Sequence, residues 1–241
     1  MKLLLINGNR TQAVTDTVLA EARRVAAPDT VLVAVTAPFG IDIVFSHAGD
    51  VIAAHAVLDS LARHHSGIDA AILAISFDSG LAAARELLPI PVFGITESAL
   101  LAAGKLGPRF GIITFGKRSL ALYNDVFARY KVMQQVVAIR TIDITSTAEY
   151  LVAEKLDARI VAEANGLAAE GADAVVICGA AMAGVARRLG GAVSVPLVDG
   201  VTSAVAQAEA LVGADFRPAL PLQPAVTEGL SPELAALFRR S

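Results

Sequence analysis

Residues 176–184 read VICGAAMAG and hold Cys178, the single cysteine of a 241-residue chain. A thiol is a base or nucleophile where its surroundings favour the thiolate, and a small hydrophobe where it is buried. A second stretch, ISFDSG at 75–80, has the same form, with Ser76, Phe77, Asp78, Ser79 and Gly80 following an apolar run. Each stretch leads into a helical pattern, so N–H groups of the first turn are expected to face the site and to favour a carboxylate. The hydroxyls of Ser76 and Ser79 and the backbone of Gly179, Ala180 and Ala181 add donors to that site. Asn7 and Asn9 in NGN, with Thr114 and Ser119 in TFGKRS, supply further polar groups. The sum is a small anion-binding site with little fixed positive charge.

The elements that must position these residues are legible as eight apolar runs of strand length, at 2–7, 30–36, 70–76, 90–95, 109–115, 134–142, 173–178 and 195–200. Helical patterns such as TQAVTDTVLAEARRV lie between most of them, a rhythm that predicts βαβ units and parallel sheets. The chain also repeats. Gly67, Asp69 and Gly80 recur as Gly171, Asp173 and Gly184 at a constant offset of 104, and Pro91 and Gly94 correspond to Pro196 and Gly200. The repeat predicts two pseudo-twofold-related α/β lobes of doubly wound, flavodoxin-like or Rossmann-like kind. The first comprises 1–98 plus 204–241 and the second 99–203. A cleft between them, beyond the carboxyl ends of the strands, is the natural ligand site. Past about 214 the chain is Pro-rich before a short helix, SPELAALFRR, with Ser231 as N-cap and Pro232 as the first helical residue.

Composition narrows the partners. A net charge of -3, with no Lys/Arg-rich run and few aromatics, argues against nucleic acid. The mean hydropathy of +0.60 is high, yet every apolar run is broken well short of the roughly 18 residues that a spanning helix needs. Buried strands and Ala-rich helices account for it, and no membrane partner is expected. MKLLLINGNR is too short in apolar residues for a signal peptide, and one cysteine allows no internal disulfide, so a cytoplasmic protein is expected. The apolar fraction of 55% makes a homo-oligomer the expected state.

Four motifs carry a resemblance. The chain opens on INGN. It continues with DSGLAAARELLPIPVFGITESAL, then RFGIITFGKRS, and last GADAVVICGAAMAGVA followed by VPLVDGV. In these it resembles the aspartate/glutamate/hydantoin racemase family over nearly its whole length, hydantoin racemases most. The resemblance implies a cofactor-independent enzyme that inverts a carbon α to a carboxylate or ring carbonyl. In such enzymes one cysteine from each lobe faces the α-carbon, because inversion requires a proton to leave one face and arrive on the other. This chain departs from that pattern. The two cysteine positions of the motifs fall on Ile75 and Gly179, with Ser76 and Cys178 beside them.

Three explanations stay open. Cys178 reaches the cleft and works opposite Ser76 or another group; or Cys178 is a lone proton donor, as in the similar arylmalonate decarboxylases; or Cys178 faces the core and the protein is a non-catalytic binder of small carboxylates or performs a chemistry without thiols. The substrate-binding set expected with the first two is Asn7, Ile75, Phe77, Ser79, Thr114, Tyr123, Gly179, Ala180 and Ala181. GIITFGK at 111–117 has P-loop spacing, but Arg118 replaces the required hydroxyl residue and the stretch is a strand. His47, His55, His64 and His65 read as a solvated helix face with no completing metal ligands. Asp78 and Asp199 are strand-end carboxylates placed to act in the cleft or else to serve as a helix N-cap and a turn residue, respectively, and Glu97 reads as a first-turn charge.

Overall fold

The structure is a computed structural model in which residues 1–144, 146–213 and 223–239 are described. Most of the Pro-rich stretch, 214–222, lies outside them. The first half runs β1 (Lys2–Asn7), α1 (Gln12–Val25), β2 (Val31–Thr36), α2 (His47–His64), β3 (Ala70–Leu73), α3 (Leu81–Leu87), β4 (Val92–Gly94) and α4 (Ile95–Leu106). The second runs β5 (Phe110–Phe115), α5 (Leu120–Arg129), β6 (Val136–Ile142), α6 (Thr147–Tyr150), α7 (Asp157–Ala169), β7 (Ala174–Ile177), α8 (Val185–Leu189), β8 (Leu197–Asp199) and α9 (Gly200–Leu211). A last helix, α10 (Pro232–Leu237), follows. Every apolar run read from the sequence contains a strand, β1 over the whole of its run and the others one to three residues shorter.

Each half forms a four-stranded sheet of the same order, β2-β1-β3-β4 and β6-β5-β7-β8, and every pairing is parallel. This is the doubly wound order whose switch point lies between the first and third strands of each half. Alternation along the strands sends Leu3 and Leu5 to one buried layer and Leu4 and Ile6 to the other. Both layers run on into the second half, through Phe110, Ile112 and Val176 on one side and Ile113, Val175 and Ile177 on the other. The two sheets therefore share their cores.

The repeated residues have a physical reason. Asp69 Oδ2 accepts the backbone N–H of Lys2 at 2.6 Å and Asp173 Oδ2 accepts that of Arg109 at 3.0 Å, so each carboxylate fixes the start of its half's first strand. Gly80 and Gly184 both take a left-handed conformation, φ +79° and +83°, as N-caps of α3 and α8. The helices that end the two halves exchange partners: α4 packs on β7, β8 and α9, while α9 packs on α1, β3 and β4. The short helix α10 lies on α2, capped by Ser231, whose hydroxyl accepts the Leu234 N–H at 3.2 Å.

The starts of α4 and α9 touch at Gly200. A Cβ there would sit 2.4 Å from the backbone oxygen of Ile95, which cannot swing aside as a side chain can. Gly200→Ala is therefore expected to destabilise the fold by about 1–3 kcal/mol. A urea titration followed by circular dichroism checks this; a midpoint equal to that of the parent protein contradicts the contact.

Candidate active site

Both strand-end loops turn sharply where the sheets end. After β3, Asp78 adopts φ +50° before the Gly80 turn into α3. After β7 the ladder extends one residue, with Cys178 N–H bonded to Ile113 O at 2.9 Å, and then Gly179 takes φ +110°. One turn of 3-10 helix, Ala180–Met182, follows in place of a direct helix start. Ser76 and Ala180, 104 residues apart and equivalent in the repeat, meet between the lobes: Ala180 N–H donates to Ser76 Oγ at 3.3 Å. The Ser76 carbonyl accepts the Thr96 hydroxyl at 2.6 Å, which ties the same loop to α4.

Around this meeting point lies a cavity of about 30 Å³ lined by residues of both halves, among them Asn9, Ile75, Ser76, Phe77, Ser119, Tyr123, Tyr150, Ala180 and Ala181. Ile43, Val44 and Phe45 roof it from the β2–α2 connection. Phe45 also borders an outer recess of about 560 Å³ bounded by Gly116, Lys117, Arg118, Asp143, Ile144 and Ser146. Tyr123 and Tyr150 line the same cavity as Ser76, whose side chain opposes the rise of their phenol pKa. Tyr123 packs against Phe77 and Phe127, with ring centroids 4.8 and 5.7 Å away.

Of the residues expected from sequence, Ile75, Ser76, Phe77, Tyr123, Ala180 and Ala181 line this cavity. Asn7, Ser79, Thr114, Cys178 and Gly179 are not part of its lining. Asn7 is instead the brace of the β1–α1 loop, its amide donating to Asn9 Oδ1, Thr11 O and Thr15 Oγ1 at 3.1 Å each. Ser79 donates to Asp50 on α2 at 2.5 Å, and Thr114 bonds Thr141 across β5 and β6 at 2.9 Å. Cys178 is 3% exposed and belongs to the core layer with Val176 and Tyr123, on the opposite side from Ile177 and Ala180. Strand alternation dictates that orientation one residue before the turn. Asp199 caps α9 through the Thr202 N–H and hydroxyl, at 2.9 and 3.0 Å, and is not a turn residue. Sequence reasoning missed Phe45 and Tyr150, which sit in stretches without a motif, and Phe115, which lies within RFGIITFGKRS and reads there only as a strand residue.

Burial sets the protonation of the site. It pushes the Tyr123 and Tyr150 phenols and the Cys178 thiol well above their ordinary ranges, and the Asp78 charge pushes the thiol further in the same direction. All three are protonated at neutral pH. Asp78 is fully buried below the site and accepts from Thr96 N–H, Glu97 N–H and Tyr130 Oη at 3.0, 2.8 and 2.7 Å. Desolvation outweighs these bonds and raises its pKa to about 6. No Lys, Arg or His lines the cavity. Among the described residues no group of three or more His, Cys, Asp or Glu could hold a metal ion, and no helix is long and apolar enough to cross a membrane.

Residues 3–208 match the family model described as Asp/Glu/Hydantoin racemase. The chain belongs to that family. It is 34% identical to a hydantoin racemase of Rhizobium meliloti over 90% of both chains. The solved allantoin racemase from Klebsiella pneumoniae is 33% identical and superposes with a TM-score of 0.86 over 95% of this chain and 97% of that one. Arylmalonate decarboxylase, 17% identical with a TM-score of 0.57 over 99% of both chains, shares the two-lobe fold. Of the two residues that the resemblance sets at the family's cysteine positions, Ile75 packs on Gly8 and Gly179 faces the Tyr150 hydroxyl.

Two measurements probe these electrostatics. Cys178 in the native protein is expected to resist a thiol-specific disulfide reagent at pH 8 and to react in full once urea unfolds the chain; prompt labelling of the native protein contradicts its burial. Asp78 binds its proton more tightly folded, near 6, than unfolded, near 3.8. Its contribution to stability is thus fully present below pH 3.8 and is lost as pH rises through about 6, on the order of 3 kcal/mol in all. Urea titrations of Asp78→Asn are expected to show a flatter stability profile between about pH 4 and 6 than the parent shows.

Proposed function

We propose that this chain is a racemase that moves a proton at the carbon α to a carbonyl of a small, hydantoin-like ring, without a cofactor. The observation that carries this reading is the character of the cavity. The hydroxyls of Ser76, Tyr123 and Tyr150 gather beside the Ala180 N–H where the lobes meet, and no cation lines the space. The Ser76 hydroxyl and the Ala180 N–H hold a carbonyl oxygen and stabilise the negative charge that develops on it as the α-proton leaves. A carboxylate in the same pocket would lose its hydration without gaining a counter-charge. A neutral ring therefore suits the lining better than a free amino acid does. The hydantoin and allantoin racemases among the relatives support the same substrate class.

The cavity as it stands holds about two waters. A ring must reach it from the outer recess past Phe45, leaving its substituent in that recess beside Lys117 and Arg118. Ser76 anchors the carbonyl side, and Cys178 stays beneath Tyr123 as packing. A second reading, decarboxylation, is favoured by one feature: neither motif position carries a thiol, and a reaction that protonates one face needs only a donor. The uncharged lining weighs against it, because malonates bring two carboxylates.

The test follows each enantiomer of a 5-alkylhydantoin in D2O, by proton NMR at the α-carbon and by chiral chromatography. Exchange with loss of optical purity is the expected result. Release of CO2 from an arylmalonate without exchange establishes the decarboxylase instead, and binding with neither reaction establishes a binding protein. Ser76→Ala is expected to lower kcat/KM by about 10²–10³-fold with the fold intact.

A further inference from the structure

We infer that the Tyr150 hydroxyl exchanges the proton with the substrate's α-carbon on the second-lobe side of the cavity, in the place where the family motif has a cysteine. This assignment rests on the racemase reading above. Its warrant is the geometry at Gly179. A Cβ built on that residue would lie 2.7 Å from Tyr150 Oη, so the phenol oxygen fills the space that a side chain at the motif position would take. The left-handed φ of +110° makes any side chain at 179 costly, and the phenol arrives there from a different element, α6. Tyr150 is 6% exposed, with its ring edge-on to Phe45 at 6.4 Å and tilted against Phe115 at 6.0 Å. Both neighbours line the same cavity, so the hydroxyl is aimed by packing on the ring.

Solvent water closes the proton balance. A hydroxide ion takes the α-proton on the far side and becomes water, while the C–H electron pair moves to the carbonyl carbon and the carbonyl π pair to its oxygen, giving an enolate. The enolate pair then takes the Tyr150 proton, forming the new C–H bond as the Oη–H bond breaks. The Tyr150 phenolate regains a proton from water, which restores the hydroxide. One C–H bond is broken and one made, and no oxidant or reductant is required. Burial, which keeps the Tyr150 phenol protonated, suits it to donate to the enolate carbon.

Tyr150→Phe tests the assignment, because phenylalanine keeps the packing on Phe45 and Phe115 and removes only the hydroxyl. Solvent deuterium uptake is measured for each enantiomer separately, and binding is measured with a 5,5-disubstituted hydantoin, which has no α-proton to lose. The expected result is a 10²–10⁴-fold fall in uptake for one enantiomer, a much smaller fall for the other, and unchanged binding. Equal losses for both enantiomers together with weakened binding indicate a structural role and overturn the assignment. Unchanged uptake overturns it as well, and leaves the racemase reading standing. If the parent protein itself exchanges neither enantiomer, the racemase reading fails and this assignment with it.

Discussion

The contact between Ser76 Oγ and the Ala180 N–H is the point on which the rest of the centre depends. It joins equivalent residues of the two halves, so it lies at or near the pseudo-twofold axis, where two rows of strand ends face each other. Such a face is crowded with backbone groups that have left their ladders and must find partners. The fold satisfies them across the lobes: Asp78 of the first half bonds the start of α4 and Tyr130 of the second, and Gln207 on α9 bonds Ser98 O on α4 at 2.9 Å. The exchange of α4 and α9 between the sheets makes these bonds possible. An anchored axis also holds the two lobes in register around the cavity between them.

A site built this way is small and poorly hydrated, and desolvation decides which chemistry it can host. Charges brought into it need partners that the lining does not offer. Acidic groups inside it keep their protons, which removes the thiolate that Cys178 would need and turns the two phenols into donors. The same desolvation acts on Asp78, yet three hydrogen bonds hold that shift to a pKa of about 6. Asp78 and Cys178 differ in hydrogen bonding and in charge, since both are buried, the carboxylate has three donors aimed at it, and the thiol meets the Asp78 charge.

The strands were legible because a parallel sheet buried on both faces demands long apolar runs, and the repeat was legible because its residues hold backbone positions. Gly80, Gly184, Asp69 and Asp173 are constrained by φ or by a strand's first N–H, and such constraints recur wherever the fold recurs. The strand-end residues of the site, Ser76 and Ala180, followed from the same register. Asn7, Ser79 and Thr114 were harder, because a polar side chain at a buried strand end has two possible duties and here the scaffold claims it. Tyr150 and Phe45 left no trace in pattern, since they reach the cavity from connections whose course no periodicity describes.

The repeat also shows what has been broken. A two-sided proton transfer is simplest when both halves offer the same group at the same position, as a pseudo-twofold axis allows. Here the equivalent positions hold Ile75 and Gly179, one filling its space with hydrocarbon and the other leaving it for Tyr150. The next pair, Ser76 and Ala180, divides the roles again, the first supplying a hydroxyl and the second only its backbone N–H. At the site, symmetry therefore survives in the backbone and is lost in the side chains. A site with its acids gathered on hydroxyls around one serine has unequal faces, and the backbone symmetry that built the cavity no longer requires the two enantiomers to be handled alike.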